Sequence, residues 1–225
     1  MEVPRYFNSE LGLVKTFYTF LKCGGLPSQA HVVLEFESGH GIADIVIFGT
    51  RELFEKQAVE FAKIPPRYAV IFGRELLPKK FLAQQFAELT GAGIEASVRV
   101  LNMLVKQGLL TRLKNGMYEG LDSVSSPIDT VVSIEAKLRD WRRALRQAYR
   151  YREFSNQSWV LMDAYRVSPA LAQIQQFIRS GVGLASINTS GELFIHHEPT
   201  VAAPLSDSRY WAESVQLSRH YLRQL

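Results

Sequence analysis

Runs of apolar residues, broken by turn formers, divide this chain into elements. In "SELGLVKTFYTFL" (9–21) apolar positions recur at helical spacing, and Ser9 stands where an N-cap belongs, so a helix is expected. "AHVVLEFESGHGIADIVIFG" reads differently. Two β-branched runs flank Ser38, Gly39, His40 and Gly41, residues suited to a turn, and together they predict a β-hairpin. Residues 51–63 return to a helical period until Pro65 and Pro66 stop them. From about 67 to 120 the pattern gives helices and then a short hairpin, with no strand of core type. After Ser125, Ser126 and Pro127 come strand 131–136, helix 138–154, strand 158–162, helix 168–180, and strands 182–187 and 192–196. A last helix covers 208–224, with Trp211, Val215 and Leu222 on one side, interrupted by Ser218. The order predicts the α/β class: a mixed central sheet flanked by helices, with a helical module inserted between its second and third strands. The expected core is 1–50 with 125–225, and the insert is 51–124.

One stretch breaks the rule that buried strands are apolar. In "VVSIEAKLRDWRRALRQAYRYREF" (131–154), Val131, Val132 and Ile134 read as a buried strand, yet it ends in Glu135 and Lys137. Strand side chains alternate, so these opposite charges share a face, and burying them is costly without a purpose. Asp44, in "GIADIVIF", sits just before the apolar half of the second hairpin strand. If the two strands are neighbours, two carboxylates and an ammonium meet at one end of the sheet. Hard divalent cations take oxygen ligands, and Mg²⁺ binds through one or two carboxylates plus phosphate oxygens. A nearby lysine can position water or stabilise charge on phosphorus. The same residues also read as an ordinary surface ion pair with a turn carboxylate.

The spacing Asp44…Glu135-x-Lys137 resembles the PD-(D/E)xK nuclease superfamily. Gln147-Ala-Tyr-Arg-Tyr151 on the following helix resembles the Q-x-x-x-Y element of its RecB-type branch, and Glu10 is placed like the extra acidic residue of many members. The resemblance covers roughly residues 5–48 and 128–196. It implies a restriction-endonuclease-like fold, with metal ligation by Asp44 and Glu135, joined by Glu10, and Mg²⁺ or Mn²⁺ as cofactor. Lys137 would assist the attacking water, while Gln147 and Tyr151 would shape the site. Two departures stand out: Ala43 replaces the proline of the family name, and the long gap from Asp44 to Glu135 demands an insertion. A glutamate in a first helical turn is equally explained by the helix dipole.

Projected at about 100° per residue, helix 138–154 places Leu138, Trp141, Leu145, Ala148 and Tyr149 on a core face. Arg139, Arg142, Arg143, Arg146 and Arg150 form a basic stripe, and Gln147 with Tyr151 a third sector. Arginine forks match phosphate oxygens, so the stripe is expected to contact DNA. In the insert, a helix at 79–89, the turn Thr90-Gly91-Ala92-Gly93, a helix at 94–107 and a hairpin about Lys114-Asn115-Gly116 resemble a winged helix-turn-helix. Ile94, Val98, Leu101, Leu104 and Val105 form the apolar side of its second helix. Glu95, Ser97, Arg99 and Asn102 are its expected outward residues, with Arg112 and Lys114 on the wing, and DNA its expected partner.

Composition narrows the classes. Of 225 residues, 47% are hydrophobic and 21% charged, a balance that supports a buried core. No apolar run approaches the roughly 20 residues of a membrane span, and the N-terminus lacks the layout of a secretory signal. Cys23 is the single cysteine, so an internal disulfide is excluded, and the expectation is a cytoplasmic protein. The net charge of +4 leans weakly towards an acidic partner. The adjacent histidines His196 and His197 point to opposite faces of a strand and cannot easily share an ion. No phosphate loop or serine or cysteine nucleophile arrangement is visible, and His40 lies near enough to Asp44 in sequence to be noted. The leading expectation is a metal-dependent DNA nuclease. A non-catalytic DNA-binding protein on the same fold, a homodimer, and a nuclease subunit whose winged helix binds a larger protein machine stay open.

Overall fold

Ser9 accepts a hydrogen bond from the Gly12 amide (3.1 Å) and starts α1 (Glu10–Phe20), which widens into a π turn at Leu21–Gly25. The computed structural model describes residues 6–27, 29–39, 41–50, 54–69, 72, 78–120 and 126–223. Strands β1 (Ala30–Ser38) and β2 (Gly41–Thr50) follow, then α2 (Phe54–Ala62) and α3 (Pro66–Ala69). Next come β3 (Lys80–Phe81), α4 (Ala83–Thr90), α5 (Ile94–Lys106), β4 (Leu110–Arg112) and β5 (Tyr118–Gly120). The chain continues through β6 (Ile128–Lys137), α6 (Trp141–Tyr151), β7 (Gln157–Asp163), α7 (Ser168–Leu171) and α8 (Ile174–Ser180). It closes with β8 (Gly183–Ile187), β9 (Leu193–His197) and α9 (Asp207–Leu222). His40, residues 51–53 of the expected helix 51–63, and Ser125 lie outside the described residues.

The chain forms two units: Met1–Thr50 with Thr130–Pro204, and Arg51–Asp129 with Leu205–Leu225. The first is built on a six-stranded sheet in the order β1-β2-β6-β7-β8-β9. β1 and β2 are antiparallel, β6, β7 and β8 run parallel, and β9 is antiparallel to β8, so the sheet is mixed, as the alternation predicts. Helices cover both faces because both are apolar. On one, Leu13, Val14 and Phe17 of α1 pack with Ile45, Ile134, Ala136, Leu161 and Ile187. On the other, Trp141, Ala144 and Ala148 of α6 pack with Val160, Met162, Phe177 and Leu184.

Two predicted helices of this unit differ from the sequence pattern. Helix 138–154 begins only at Trp141, because the Asp140 carboxylate caps it by accepting from the Arg143 amide at 3.0 Å. Its core face is rotated: Tyr151 is fully buried and Tyr149 is 48% exposed, the reverse of the helical projection. The helix expected over 168–180 is two, since Gln173 leaves helical geometry (φ −121°, ψ 24°) between α7 and α8.

In the second unit β3, β5 and β4 form a small antiparallel sheet beside α4 and α5. Gly91, at φ 65°, ends α4 in the left-handed conformation that a side chain would resist, and so allows the tight turn into α5. Gly116, at φ 82°, does the same in the β4–β5 hairpin, where the Asn115 side chain accepts from the Met117 amide. The α5 face departs from expectation. Ser97, assigned outward, is fully buried with its hydroxyl unpartnered among the described residues, whereas Ile94 is 49% exposed.

Helix α9 belongs to this second unit and not to the core span 125–225. Its Trp211 and Val215 are buried among Phe61, Ile64, Tyr68, Phe86, Leu101 and Leu104, with the Trp211 ring stacked on Phe61 at 5.8 Å. Arg219 donates from Nε to the Ala62 carbonyl (2.8 Å) and from Nη2 to that of Ile64 (2.9 Å), satisfying acceptors at the end of α2. Ser218, which interrupts the apolar stripe in sequence, is buried because its hydroxyl bonds the Ser214 carbonyl at 2.8 Å. Among the described residues no helix is long and apolar enough to cross a membrane.

Candidate active site

The charged pair that ends β6 lies on one face of it, as alternation requires, while Ile134 and Ala136 point into the α1 core. Glu135 and Lys137 are 1% and 8% exposed. Lys137 Nζ stands 2.8 Å from Glu135 Oε1, 3.3 Å from Glu10 Oε2 and 3.7 Å from Asp44 Oδ2, and donates to its neighbour's Ala136 carbonyl at 3.0 Å. Three carboxylates from α1, β2 and β6 thus surround one ammonium. Asp44 is fixed by the sheet itself: its Oδ2 accepts from the Ala136 amide at 2.7 Å. On the far side of Glu135, Oε2 accepts from the Tyr151 hydroxyl (2.9 Å), which also reaches the Ile42 carbonyl at 2.8 Å. α6 therefore braces both β2 and β6 through one phenol.

Burial dominates the electrostatics. It raises the Asp44 carboxyl above its usual value, against the Ala136 amide and Lys137, which pull it down. It likewise raises Glu135, opposed by the hydrogen bond from Lys137 and aided by the Asp44 charge. For Lys137 burial acts downwards, but the hydrogen bond to Glu135 and the carboxylate charges outweigh it, so its affinity for the proton is raised. Tyr151 is pushed upwards by burial and by Glu135 and stays a neutral phenol. The site is a crowded set of three carboxyl groups around one cation, which offsets only part of their charge.

Among the described residues no three His, Cys, Asp or Glu side chains are drawn together at metal-ligand spacing, because the Lys137 ammonium stands between the carboxylates. The donor set nonetheless fits a hard divalent cation. Oxygens of Asp44 and Glu135 converge from adjacent strands, Glu10 is half-exposed beside them, and Mg²⁺ needs only one or two such ligands with water or phosphate completing its shell. The buried Oε1 of Gln147, one turn before Tyr151, has no hydrogen-bond partner among the described residues. A site that takes up a hydrated ligand supplies the missing donor.

Arg139, Arg142, Arg143, Arg146 and Arg150 are all exposed, with the Arg142 guanidinium 4.5 Å over the Trp141 ring. Arg146 and Arg150 line a groove of about 570 Å³ with Leu145, Tyr149 and Ser180, on the flank of α6 opposite Gln147 and Tyr151. The stripe is therefore on the outer surface of α6, not at the carboxylates. In the second unit Arg99, Asn102, Arg112 and Lys114 are exposed. Asn102 accepts from the Tyr118 hydroxyl at 3.1 Å, and Arg112 lies over the Tyr118 ring. His196 is paired with Ser186 Oγ at 2.8 Å.

Two residues of this region have no signature in the sequence. Glu35 has φ 51° within β1, where the pairing passes from Leu34↔Ile45 to Phe36↔Ala43 and leaves it opposite Asp44. Its charge helps to raise the Asp44 carboxyl. No glycine or asparagine announces that conformation. Asp163, at the end of β7, is fully buried and accepts from the amides of Phe7 (3.0 Å) and Tyr165 (2.9 Å). No known family model, curated protein or solved structure matches the chain.

Proposed function

We propose that this chain is a Mg²⁺- or Mn²⁺-dependent deoxyribonuclease of the PD-(D/E)xK type, with a restriction-endonuclease-like core and a winged-helix second unit. The observation that carries the reading is the convergence of Glu10, Asp44 and Glu135 on Lys137 at the end of β6, braced by Tyr151. A bound cation supplies charge neutralisation at phosphorus and a more acidic water. Asp44 and Glu135 would hold it, joined by the half-exposed Glu10. The Ala136 amide keeps Asp44 in place, and the Tyr151 hydroxyl does so for Glu135. Lys137 carries a proton firmly, so it acts as a donor that orients water and stabilises charge on the phosphate, not as the base. Water oxygen bonds to phosphorus as the bond to one ester oxygen breaks; the water gives up a proton to solvent and the leaving oxygen takes one from it, giving a phosphate monoester and an alcohol.

The basic stripe of α6 and the exposed Arg99, Asn102, Arg112 and Lys114 supply phosphate contacts for duplex DNA. A second reading of the winged unit has its own support. A groove of about 460 Å³ at the α4–α5 turn is lined by Gln84, Ala87, Glu88, Gly91, Ala92 and the exposed Ile94, without a basic side chain, and suits a protein partner better than a phosphate backbone.

The test is incubation with plasmid and linear DNA plus Mg²⁺ or Mn²⁺. The protein is expected to cut, and Asp44→Ala and Lys137→Ala each to lose about 100-fold or more of the rate. DNA binding without cutting in all three proteins would sink the reading.

A further inference from the structure

The buried carboxylate of Asp163 does nothing in the chemistry described above, and what it organises is a surface. By accepting from the amides of Phe7 and Tyr165 it ties the segment before α1 to the turn after β7. That places the rings of Tyr6 and Tyr165 together, with centroids 6.1 Å apart, although they are far apart in sequence. Arg166 completes the group: its guanidinium lies 4.7 Å from the Tyr6 ring centre, and its Nε is 3.8 Å from Asp163. Tyr6 and Tyr165 are 44% and 62% exposed, an unusual outlay of aromatic surface for residues held on such firm backbone.

The platform is also well placed. Lys137 pairs with Met162 across the parallel β6–β7 ladder, and Asp163, the next residue on the α1 face of the sheet, therefore stands at the same strand end as the lysine. On the other side Tyr6 comes just before Glu10, whose carboxylate touches Lys137. In open α/β sheets ligands bind beyond the carboxyl ends of the parallel strands, and this platform stands at that end.

We infer that Tyr6, Tyr165 and Arg166 form a stacking platform for unpaired bases next to the cleaved phosphate, so that the substrate is single-stranded DNA or a duplex with an unpaired end. This rests on the nuclease reading for its substrate. Bases in a closed duplex are already stacked on one another and offer no free face, whereas unpaired bases stack on aromatic rings whatever their sequence.

The experiment uses the full chain, in EDTA, with fluorescent oligonucleotides of about 20 residues as a single strand, a blunt duplex and a duplex with an unpaired end. The single strand and the unpaired end are expected to bind more tightly than the blunt duplex. Tyr6→Leu and Tyr165→Leu are each expected to weaken single-strand binding about tenfold, with Tyr165→Trp restoring it. Equal affinity for the blunt duplex, or single-strand binding indifferent to both leucine substitutions in proteins that melt like the wild type, overturns the inference. Cleavage assayed in parallel with Mn²⁺ separates the two ideas. Tyrosine-dependent binding without cutting keeps the platform and removes the nuclease, and cutting without tyrosine dependence does the reverse.

Discussion

Lys137 and Asp44 show how a single side chain takes its character from its surroundings. The folded chain binds a proton at Asp44 more tightly than the unfolded chain does, because burial penalises the charge more than Lys137 and the Ala136 amide relieve it. For a value raised by folding, the stabilisation is full below the unfolded value and is lost as pH rises through the folded one. The ionised carboxylate is thus a cost at neutral pH in the metal-free protein. Asp44→Asn keeps an acceptor for Ala136 and removes the charge. In urea unfolding without metal it is expected to be more stable than wild type near pH 7, and to lose that advantage near pH 4, the ordinary carboxylate range. A variant less stable at neutral pH would show that pairing outweighs burial. Much of this site was legible by residue. Alternation alone places Glu135 and Lys137 on one face, but the hydrogen bond that brings Asp44 to Ala136 spans 92 positions and leaves no local trace. Glu35 and Asp163 were illegible for the same reason: each is defined by what lies across from it.

Elements were readable in kind and less so in phase. Strands and helices of the α/β region fall close to where period predicts, since burial on one face imposes the period. What periodicity misjudged is amphipathic residues, which can face either way. In α6, Tyr151 turned inward because Glu135 and Ile42 accept its hydroxyl, and Tyr149 turned out. In α5, Ser97 went in because it is small and its neighbours Leu101 and Leu104 define the core side. Its buried hydroxyl, without a partner among the described residues, costs free energy that an alanine does not. Ser97→Ala is expected to raise stability by about 1 kcal/mol, read as a higher midpoint in denaturant with unchanged slope. A loss of similar size would mean the hydroxyl has a partner.

At the scale of the whole molecule the boundary between units was the least legible feature. An amphipathic helix advertises an apolar face but not an address, and α9 follows the last core strand, so sequence order assigns it to the wrong body. Its address is written in Phe61, Ile64 and Tyr68, which need Trp211 and Val215 to close over them. A chain ended after Pro204 is therefore expected to lose the tertiary structure of the second unit, with dye binding by exposed apolar surface and a collapse of near-ultraviolet dichroism from that unit's aromatics. An unaltered aromatic spectrum would show that the second unit closes without α9. The same feature sets an order of assembly. On the ribosome residues 1–50 emerge first and 51–129 next, then 130–204 complete the other unit, and only afterwards does α9 arrive. The segment inserted between β2 and β6 is thus made early and finished last, and in the interval its aromatic interior is what a chaperone would find.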